Sequence, residues 1–222
     1  MRLKFLGTGG ADWSSATEDG FLRRCSSAII DGVLLVDPNP QCLEALDTFG
    51  CDRGRIKYII NTHAHEDHFS SDAVSELEKT GAEFISFKIG ETKTVGDYTV
   101  TALKGNHAVA YTTHFLISDG KNELYYGLDG AWLMPDVFHM LVDRRVHTIV
   151  LDATYGFDFY AGIFEHNNLG MIVEMASVLK KTASQIFISH LSKKHHSDHK
   201  TTAEALEEHG VQVAYDGLEI NI

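Results

Sequence analysis

The pattern of apolar and polar residues predicts strands and helices that alternate along the first half of the chain. Apolar runs predict strands at residues 2–7, 26–30, 33–37 and 56–60. The Asp31-Gly32 pair between the second and third runs is typical of a two-residue hairpin turn. Apolar residues at helical spacing predict helices at 41–50 and 71–81, each ending at a glycine, and Ser71 or Ser70 is the expected N-cap of the second helix.

The second half repeats this rhythm after a strand-rich middle. Strands are predicted at 97–105, 113–118, 122–129, 147–155 and 185–190, and helices at 134–143, 169–181 and 201–210. Residues 211–222 read as a closing strand pair. A β-rich stretch followed by an α/β stretch, twice over, predicts two βα halves packed face to face in one domain that spans residues 1–222.

Composition and charge narrow the class of protein. The chain has 222 residues and a formal net charge of −12, which disfavours loose binding to long nucleic acid. No window of 18 apolar residues is present, so no membrane span is expected, and the N-terminus does not resemble a signal peptide. Three cysteines without a CxxC spacing (Cys25, Cys42 and Cys51) suggest free thiols and a cytoplasmic location. A small anionic substrate stays compatible with the acidic chain, because a metal site can supply positive charge.

The segment "NTHAHEDHFSSD" concentrates titratable side chains directly after the buried run that ends at residue 60. In extended chain, alternate residues point the same way, so His63 and His65 can converge on one ion. Asp67 and His68 lie where the chain turns toward the next helix and can face a second ion. A solvated histidine-rich loop would also explain the composition, but spacing, residue types and position after a buried strand together favour a site for two ions.

With "FLGTGGADW" at the N-terminus, "THAHEDH" resembles the first motif of the metallo-β-lactamase superfamily. The resemblance implies an α/β fold, the αββα four-layer sandwich, with two divalent metal ions, zinc or manganese with iron also compatible. It also implies later ligands, which match His107 in "KGNHAVAY", Asp129 in "LYYGLDGAW" and His190 in "IFISHLS". The implied arrangement places His63, His65 and His107 on one metal, Asp67, His68 and His190 on the other, and Asp129 between them. Asp67 is also expected to be a catalytic residue.

The stretch "LDATYGFDF…EHNNL" resembles the phosphodiesterase branch of that superfamily, which includes phosphoribosyl cyclic phosphodiesterases and the transfer-RNA 3′-processing endonucleases. There an acidic residue at a strand end partners a histidine at the start of the next helix. The matching residues are Asp152, in place of the glutamate usual in the nucleases, and His166. The resemblance implies hydrolysis by a metal-activated hydroxide, with His166 as general acid and Asp152 as its orienting partner.

The expected substrate is a small, perhaps cyclic, phosphodiester rather than a long nucleic acid or a membrane component. The chain lacks the long basic arm of the transfer-RNA nucleases, although 3′-processing of transfer RNA is a second candidate activity. A lactonase, a thiolesterase or a non-catalytic metal scaffold would also be compatible with the first motif, and a homodimer is left open. Arg23 and Arg24 could contact a phosphate, although a solvated basic pair is expected. His195, His196 and His199 could line the mouth of the substrate site, although a solvated loop is expected.

Overall fold

A computed structural model describes residues 1–13, 15–157, 164–196 and 198–222. The strands are, in chain order, β1 (Arg2–Gly7), β2 (Ser27–Ile30), β3 (Leu34–Val36), β4 (Tyr58–Ile60), β5 (Glu83–Phe84), β6 (Thr92–Val95), β7 (Tyr98–Lys104), β8 (Thr113–Ser118), β9 (Glu123–Gly127), β10 (Thr148–Asp152), β11 (Gln185–Ser189), β12 (Gln212–Val213) and β13 (Glu219–Asn221). The α-helices are α1 (Cys42–Thr48), α2 (Ser71–Glu78), α3 (Pro135–Arg144), α4 (Leu169–Leu179) and α5 (His199–Glu207). In this part of the chain no helix has the length and apolarity that a bilayer crossing requires.

The strands form two sheets that pack face to face. The first sheet has the order β13-β1-β2-β3-β4-β5, and the second has the order β12-β11-β10-β9-β8-β7-β6. Apolar side chains from both sheets form the core between them, with Leu3 and Phe5 from the first sheet and Phe115, Tyr126 and Phe187 from the second. Alternate residues of these strands point to the opposite face, where the helices pack.

Helices cover the outer face of each sheet. On the first sheet, Leu46 of α1 and Leu77 of α2 pack against Ile59 of β4. On the second sheet, α3, α4 and α5 bury a separate apolar cluster that includes Leu141 and Ile172. The resulting order of layers is helix, sheet, sheet, helix, so the predicted αββα sandwich is confirmed.

The carboxyl ends of the parallel strands meet at one edge of each sheet. In the first sheet β3 pairs parallel with β4, so that Val36 lies opposite Ile60. In the second sheet β9, β10 and β11 are parallel, and Asp152 lies opposite Ser189. Side chains that directly follow these strands are therefore brought to a common edge, although they lie far apart in sequence.

One expectation about strands was wrong, and the short strands β5 and β6 were not predicted. The closing strands do form, but they do not pair: β12 lies parallel to β11 in the second sheet, and β13 lies antiparallel to β1 in the first. The connection of residues 214–218 crosses between the sheets, so each strand fills a different edge. Strand β6 was not predicted, because its sequence TKTV is polar apart from its last residue; it forms by antiparallel pairing with β7.

Candidate metal centre

The segment 63–68 leaves the carboxyl end of β4 in a non-helical conformation and then makes a tight turn. The backbone amides of His68 and Phe69 both donate to the carbonyl oxygen of His65, at 3.0 and 2.9 Å. This turn separates His63 and His65 from Asp67 and His68, which face a different direction. Ser70 then caps α2 by accepting a hydrogen bond from the amide of Ala73, as one of the two predicted N-caps.

The first cluster joins this segment to the second sheet. Nitrogen atoms of His63, His65 and His107 and a carboxylate oxygen of Asp129 all lie within 4.8 Å of one another. His65 Nδ1 is 3.4 Å from His107 Nε2, and His63 Nε2 is 3.4 Å from Asp129 Oδ2. Four donor atoms converge there, which is the number that a tetrahedral zinc site uses.

The second cluster contains Asp67, His68 and His190, whose donor atoms also lie within 4.8 Å of one another. His190 Nε2 is 3.3 Å from Asp67 Oδ2. Asp129 Oδ1 is 2.9 Å from His68 Nε2 and 3.1 Å from His190 Nε2. Because its other oxygen faces His63, the Asp129 carboxylate lies between the two clusters, in the position predicted for a bridging ligand.

Several donor atoms of these clusters are buried and close to one another, but among the described residues none makes a hydrogen bond of acceptable geometry. They are His63 Nε2, His68 Nε2 and Asp129 Oδ1. Buried polar atoms normally have a partner, since an unpaired one costs about 1–3 kcal/mol. Burial also lowers the pKa of His65 and His107, which favours the neutral imidazole that binds metals. The residues present therefore fit two divalent cations with nitrogen and oxygen ligands.

Two ligand candidates have backbone conformations that are unusual for residues other than glycine. Asp129 and His190 have φ values of 55° and 60°. Left-handed backbone at such residues costs free energy and is found preferentially at functional sites. Both follow parallel strands of the second sheet, and the reversal of backbone direction turns their side chains toward the shared edge.

Asp37 supports the second cluster and was missed in the sequence. It directly follows β3, and its carboxylate lies 2.9 Å from His68 Nδ1. It also accepts hydrogen bonds from the amide and hydroxyl of Thr62, at 2.7 and 2.9 Å. A carboxylate on the far nitrogen of a ligand histidine fixes the ring and its tautomer. The signal was available, since an aspartate ended a predicted strand next to the one that precedes the histidine segment.

Asp152 and His166 form a buried hydrogen-bonded pair beside the clusters. His166 Nδ1 lies 2.6 Å from Asp152 Oδ2, which also accepts a hydrogen bond from the amide of Gly130 at 3.1 Å. Burial disfavours the charged imidazole, but the Asp152 carboxylate outweighs it and raises the pKa of His166 to about 9. His166 lies two residues before Asn168, the N-cap of α4, so it belongs to the loop and not to the helix start that the resemblance implied.

Donor atoms of Asp129, Asp152, His166 and His190 also lie within 4.8 Å of one another. We do not assign a third metal to this group. The second Asp152 oxygen, Oδ1, accepts hydrogen bonds from the amide and the hydroxyl of Thr154, at 2.7 and 2.9 Å. Both carboxylate oxygens are thus engaged within the protein, and Nδ1 of His166 is engaged with Asp152.

The Thr154 hydroxyl connects this pair to the second cluster and was also missed. Besides Asp152, it lies 2.8 Å from His190 Nδ1 and 3.1 Å from His166 Nδ1. One hydroxyl thus contacts a metal-ligand candidate and both members of the acid pair. Its spacing, two residues after Asp152, is the only sequence signal that we can identify.

A cavity of about 310 Å³ opens beside the clusters. Its described lining consists of Gly10, Ala11, Asp12, His65, Asp67, Asp129, Thr154, Tyr155, His166, His190 and Ser192. Three of these residues are acids, and none of them is a lysine or an arginine. The cavity is large enough for a small substrate, and its positive charge would come from bound cations and from the imidazole of His166, whose pKa is raised.

The solvated basic pair expected at Arg23 and Arg24 was wrong. Both residues are buried, with Arg23 only 2% exposed. Arg23 donates to the Thr8 hydroxyl and to the Ala214 carbonyl, both at 3.0 Å. The Arg24 amide donates to Asp216, at 2.7 Å. These contacts join the N-terminal loop to the segment after β12. The two arginines therefore belong to the packed interior and are not solvent-exposed.

The solvated loop expected at His195, His196 and His199 was wrong in part. His196 is buried, and His199 is the first residue of α5 and stacks on Phe21. His195 lies against Tyr155, which lines the cavity. The histidines to which no role was given are His114, His139, His147 and His209; of these, His114 is buried with its Nδ1 2.5 Å from the Tyr125 hydroxyl.

Comparison with known proteins places these observations in context. The family model described as the metallo-beta-lactamase superfamily matches residues 21–74, which include the histidine segment. No curated protein sequence matches the chain significantly.

Several solved structures are similar over nearly the whole length. Zinc-bound PqqB from Methylobacterium extorquens has a TM-score of 0.78 and 15% identity, with 100% of each chain covered. A diphosphatase from the PhnP family has a TM-score of 0.74 and 20% identity, with 100% of this chain and 97% of that chain covered. The short form of human tRNase Z has a TM-score of 0.74 and 17% identity, with 100% and 99% covered. At these identities the likeness establishes a shared fold.

Proposed function

The chain has the metallo-β-lactamase fold, as its sequence predicted, and on that premise we propose that it is a metal-dependent hydrolase of small phosphodiesters. The observation that carries the proposal is the 2.6 Å contact between His166 Nδ1 and Asp152 Oδ2, beside the two candidate metal clusters. A hydrolase that expels an alkoxide needs a proton donor, whereas one that expels a thiolate does not.

In this proposal His63, His65 and His107 hold one cation, Asp67, His68 and His190 hold the other, and Asp129 contacts both. Two divalent cations bound there would clamp the phosphate and lower the pKa of the attacking water. The protein itself supplies the imidazoles that hold the cations, the Asp129 carboxylate that contacts both cations, and a positioned general acid.

His166 is the general acid in this scheme. Its Nδ1–H donates to Asp152, so Nε2 is the nitrogen that serves the cavity that the ring lines. The raised pKa keeps the imidazole protonated at neutral pH. The proton on Nε2 can then pass to the leaving oxygen, while the buried Asp152 carboxylate stabilises the charged ring until transfer.

The cavity supports a small monoanionic diester over a polyanion. Its described lining has three acids and no basic side chain, and the net charge of the chain is −12. A long nucleic acid would find no lysine or arginine in this described lining for its further phosphates, and the acidic chain would attract it weakly. Transfer-RNA cleavage is therefore the activity that the proposal excludes.

The test uses diesters that differ in the leaving group. We expect purified protein to hydrolyse bis-p-nitrophenyl phosphate and dialkyl phosphates faster than a lactone or a thioester. For His166→Ala, the rate should fall by roughly 10²–10⁴ with alkyl leaving groups and only slightly with p-nitrophenolate, which leaves without a proton. Asp152→Asn should show the same pattern more weakly.

His209→Ala, at the carboxyl-terminal side of α5, is the matched control and should hydrolyse both kinds of diester at the wild-type rate. Metal content measured by elemental analysis should be unchanged in His166→Ala. Equal loss on both leaving groups, or loss of metal, would mean that His166 is a ligand or a structural residue. Efficient processing of precursor transfer RNA at physiological salt would replace this proposal with the nuclease function.

A further inference from the structure

Exposed aromatic side chains are concentrated in the loops that carry the candidate site. Five described aromatic residues are exposed: Tyr111 (75%), Trp132 (42%), Phe157 (47%), Phe164 (80%) and, outside these loops, Tyr215 (36%). Tyr111 follows His107 by four residues, Trp132 follows Asp129 by three, and Phe164 precedes His166 by two. We refer to Tyr111, Trp132 and Phe164 as the aromatic collar. Large exposed rings are uncommon on protein surfaces and often mark a binding site.

Hydrogen bonds join the three loops of the collar to one another. The Ala131 amide donates to the Asn106 carbonyl at 3.0 Å, and the Asn106 side chain donates back to the Ala131 carbonyl at 2.5 Å. His107 Nδ1 donates to the Glu165 carbonyl at 3.0 Å. The Trp132 amide donates to the Asn167 side chain at 2.7 Å. These bonds hold the loops that carry the three rings next to one another.

The backbone of Trp132 is held in an unfavourable conformation. Its φ is 54°, a value that bulky side chains rarely adopt because Cβ approaches the backbone. The bond to Asn167 stabilises this conformation, and the indole stays partly exposed instead of packing inward. Strain of this kind is found at ligand clamps and other functional positions.

An apolar groove continues from Trp132 along the helices of the second sheet. It has a volume of about 380 Å³, and its lining consists of Trp132, Leu133, Pro135, Phe138, His139, Glu174 and Met175. This volume is within the range of small-molecule sites. Beside Trp132, this groove offers an apolar wall against which a bound ring can lie.

We propose that the aromatic collar binds a planar ring on the leaving-group alcohol of the diester, an inference that rests on the proposed function. The reason is position: His166 protonates the leaving oxygen, and Phe164 lies two residues from it. In the step, water adds to phosphorus, the phosphorus–oxygen bond to the ring-bearing alcohol breaks, and His166 gives that oxygen its proton. The phosphate monoester of the second alcohol remains.

Methyl benzyl phosphate tests this by internal competition. Its two alcohols are similarly acidic, so the collar should decide which one leaves. We expect the protein to release benzyl alcohol in preference to methanol, by roughly 5- to 100-fold, the range that stacking on an aromatic residue contributes. Methyl cyclohexylmethyl phosphate, with a saturated ring of similar size, should show a smaller preference.

Phe164→Leu, Tyr111→Leu and Trp132→Leu keep apolar bulk but remove the ring. Each should reduce the preference for benzyl alcohol and raise KM for the benzyl ester, with little change for the cyclohexylmethyl ester. Ile89→Ala is the matched control, because Ile89 is an exposed apolar residue outside the three loops. Unfolding temperatures confirm that each variant is folded.

Tryptophan emission gives a readout that does not depend on turnover. The chain has two tryptophans, and Trp13 is buried. Benzyl alcohol should change the emission saturably, whereas cyclohexylmethanol and the variant Trp132→Phe should show no such change.

The outcomes separate this inference from the proposed function. Hydrolysis of neither ester would overturn both. Hydrolysis that releases methanol and benzyl alcohol equally, unaffected by the collar variants, would overturn the inference alone. The variants could instead change the oligomeric state, measured by light scattering, and leave KM for both esters at the wild-type value. In that case the collar is an interface between copies of the chain and the proposal is wrong.

Discussion

The two sheets contribute to the site in different ways. The first sheet supplies four candidate ligands within the six residues from His63 to His68. The second supplies His107, Asp129 and His190, which are separated by 22 residues (129 minus 107) and 61 residues (190 minus 129). The geometry of the first set follows from one turn after β4, whereas that of the second depends on the antiparallel pairing of β7 with β8 for His107 and on the parallel register of β9, β10 and β11 for Asp129 and His190.

The difference has a consequence for the metals. Each candidate ligand of the segment 63–68 faces a single cluster. His63 and His65 face the first cluster, and Asp67 and His68 face the second. Asp129, from the second sheet, faces both. The local motif thus supplies donor atoms to separate clusters, and Asp129 from the second sheet joins the two clusters.

Asp129→Ala should have the largest effect. Because each carboxylate oxygen faces a different cluster, we expect weaker binding at both sites and a fall in rate greater than the roughly 10²–10⁴ that loss of a general acid causes. Metal titration with elemental analysis measures the first effect. His65→Ala, the matched variant from the segment, should weaken only one site. If Asp129→Ala keeps one ion at unchanged affinity, the carboxylate does not bridge.

Asp37→Asn should have a smaller and more selective effect. Loss of the charged partner of His68 Nδ1 should lower metal affinity at the second cluster by roughly 10–100-fold, the usual cost of removing such an orienting group. The first cluster should be affected less, because Asp37 reaches its ligand His63 only through the Thr62 hydroxyl, which lies 3.0 Å from Asp37 Oδ2 and 3.1 Å from His63 Nδ1. Asp47→Asn on the exposed side of α1 serves as the control. Equal weakening of both sites would contradict this assignment.

Thr154→Val should lower the rate by disturbing the residues that the second sheet contributes to the site. The hydroxyl contacts Asp152, His166 and His190, so its loss should lower the rate by roughly 5-fold, in line with about 1 kcal/mol for a hydrogen bond. The loss should be greater with alkyl than with p-nitrophenyl leaving groups. Thr154→Ser should restore most of the activity. Failure of serine to rescue would point to a packing role.

His196 should influence stability rather than activity at neutral pH. Burial, together with the charge of Arg23, lowers the pKa of His196 to about 4. The unfolded chain binds a proton at a higher pH than the folded chain, so stability is lost as the pH falls from about 6.5 toward 4. Between about pH 7.5 and pH 5 the loss is about 2 kcal/mol. Urea unfolding of the wild type and His196→Gln should show this difference, and parallel pH curves would contradict it.

Sequence reasoning succeeded where function is carried by short, local patterns. The helices α1, α2 and α4 and most strands lie within the predicted ranges, and α3 and α5 differ from theirs by one to three residues at an end, because apolar periodicity reports which face each element buries. The histidine segment was assigned from its spacing and from the strand before it. His107, Asp129 and His190 came from a resemblance, since a single histidine or aspartate after a strand carries little information by itself.

The errors lie at contacts between distant segments. Arg23 and Arg24 look like a surface pair, but Thr8, Ala214 and Asp216 bury them. Strands β12 and β13 look like a hairpin, but each has a better partner in a different sheet. Asp37 looks like the end of a strand, and only the parallel pairing of β3 and β4 shows that it supports His68.

The sequence by itself determined the layered α/β architecture and the two-sided histidine segment, because both depend on residues within about ten positions of one another. The tertiary structure decided which oxygens of Asp129 face which cluster, which groups orient His68 and His166, and where the exposed rings gather. These depend on strand register and on the paths of loops between sheets. Contacts of that kind form between residues tens of positions apart, where local preference has no influence.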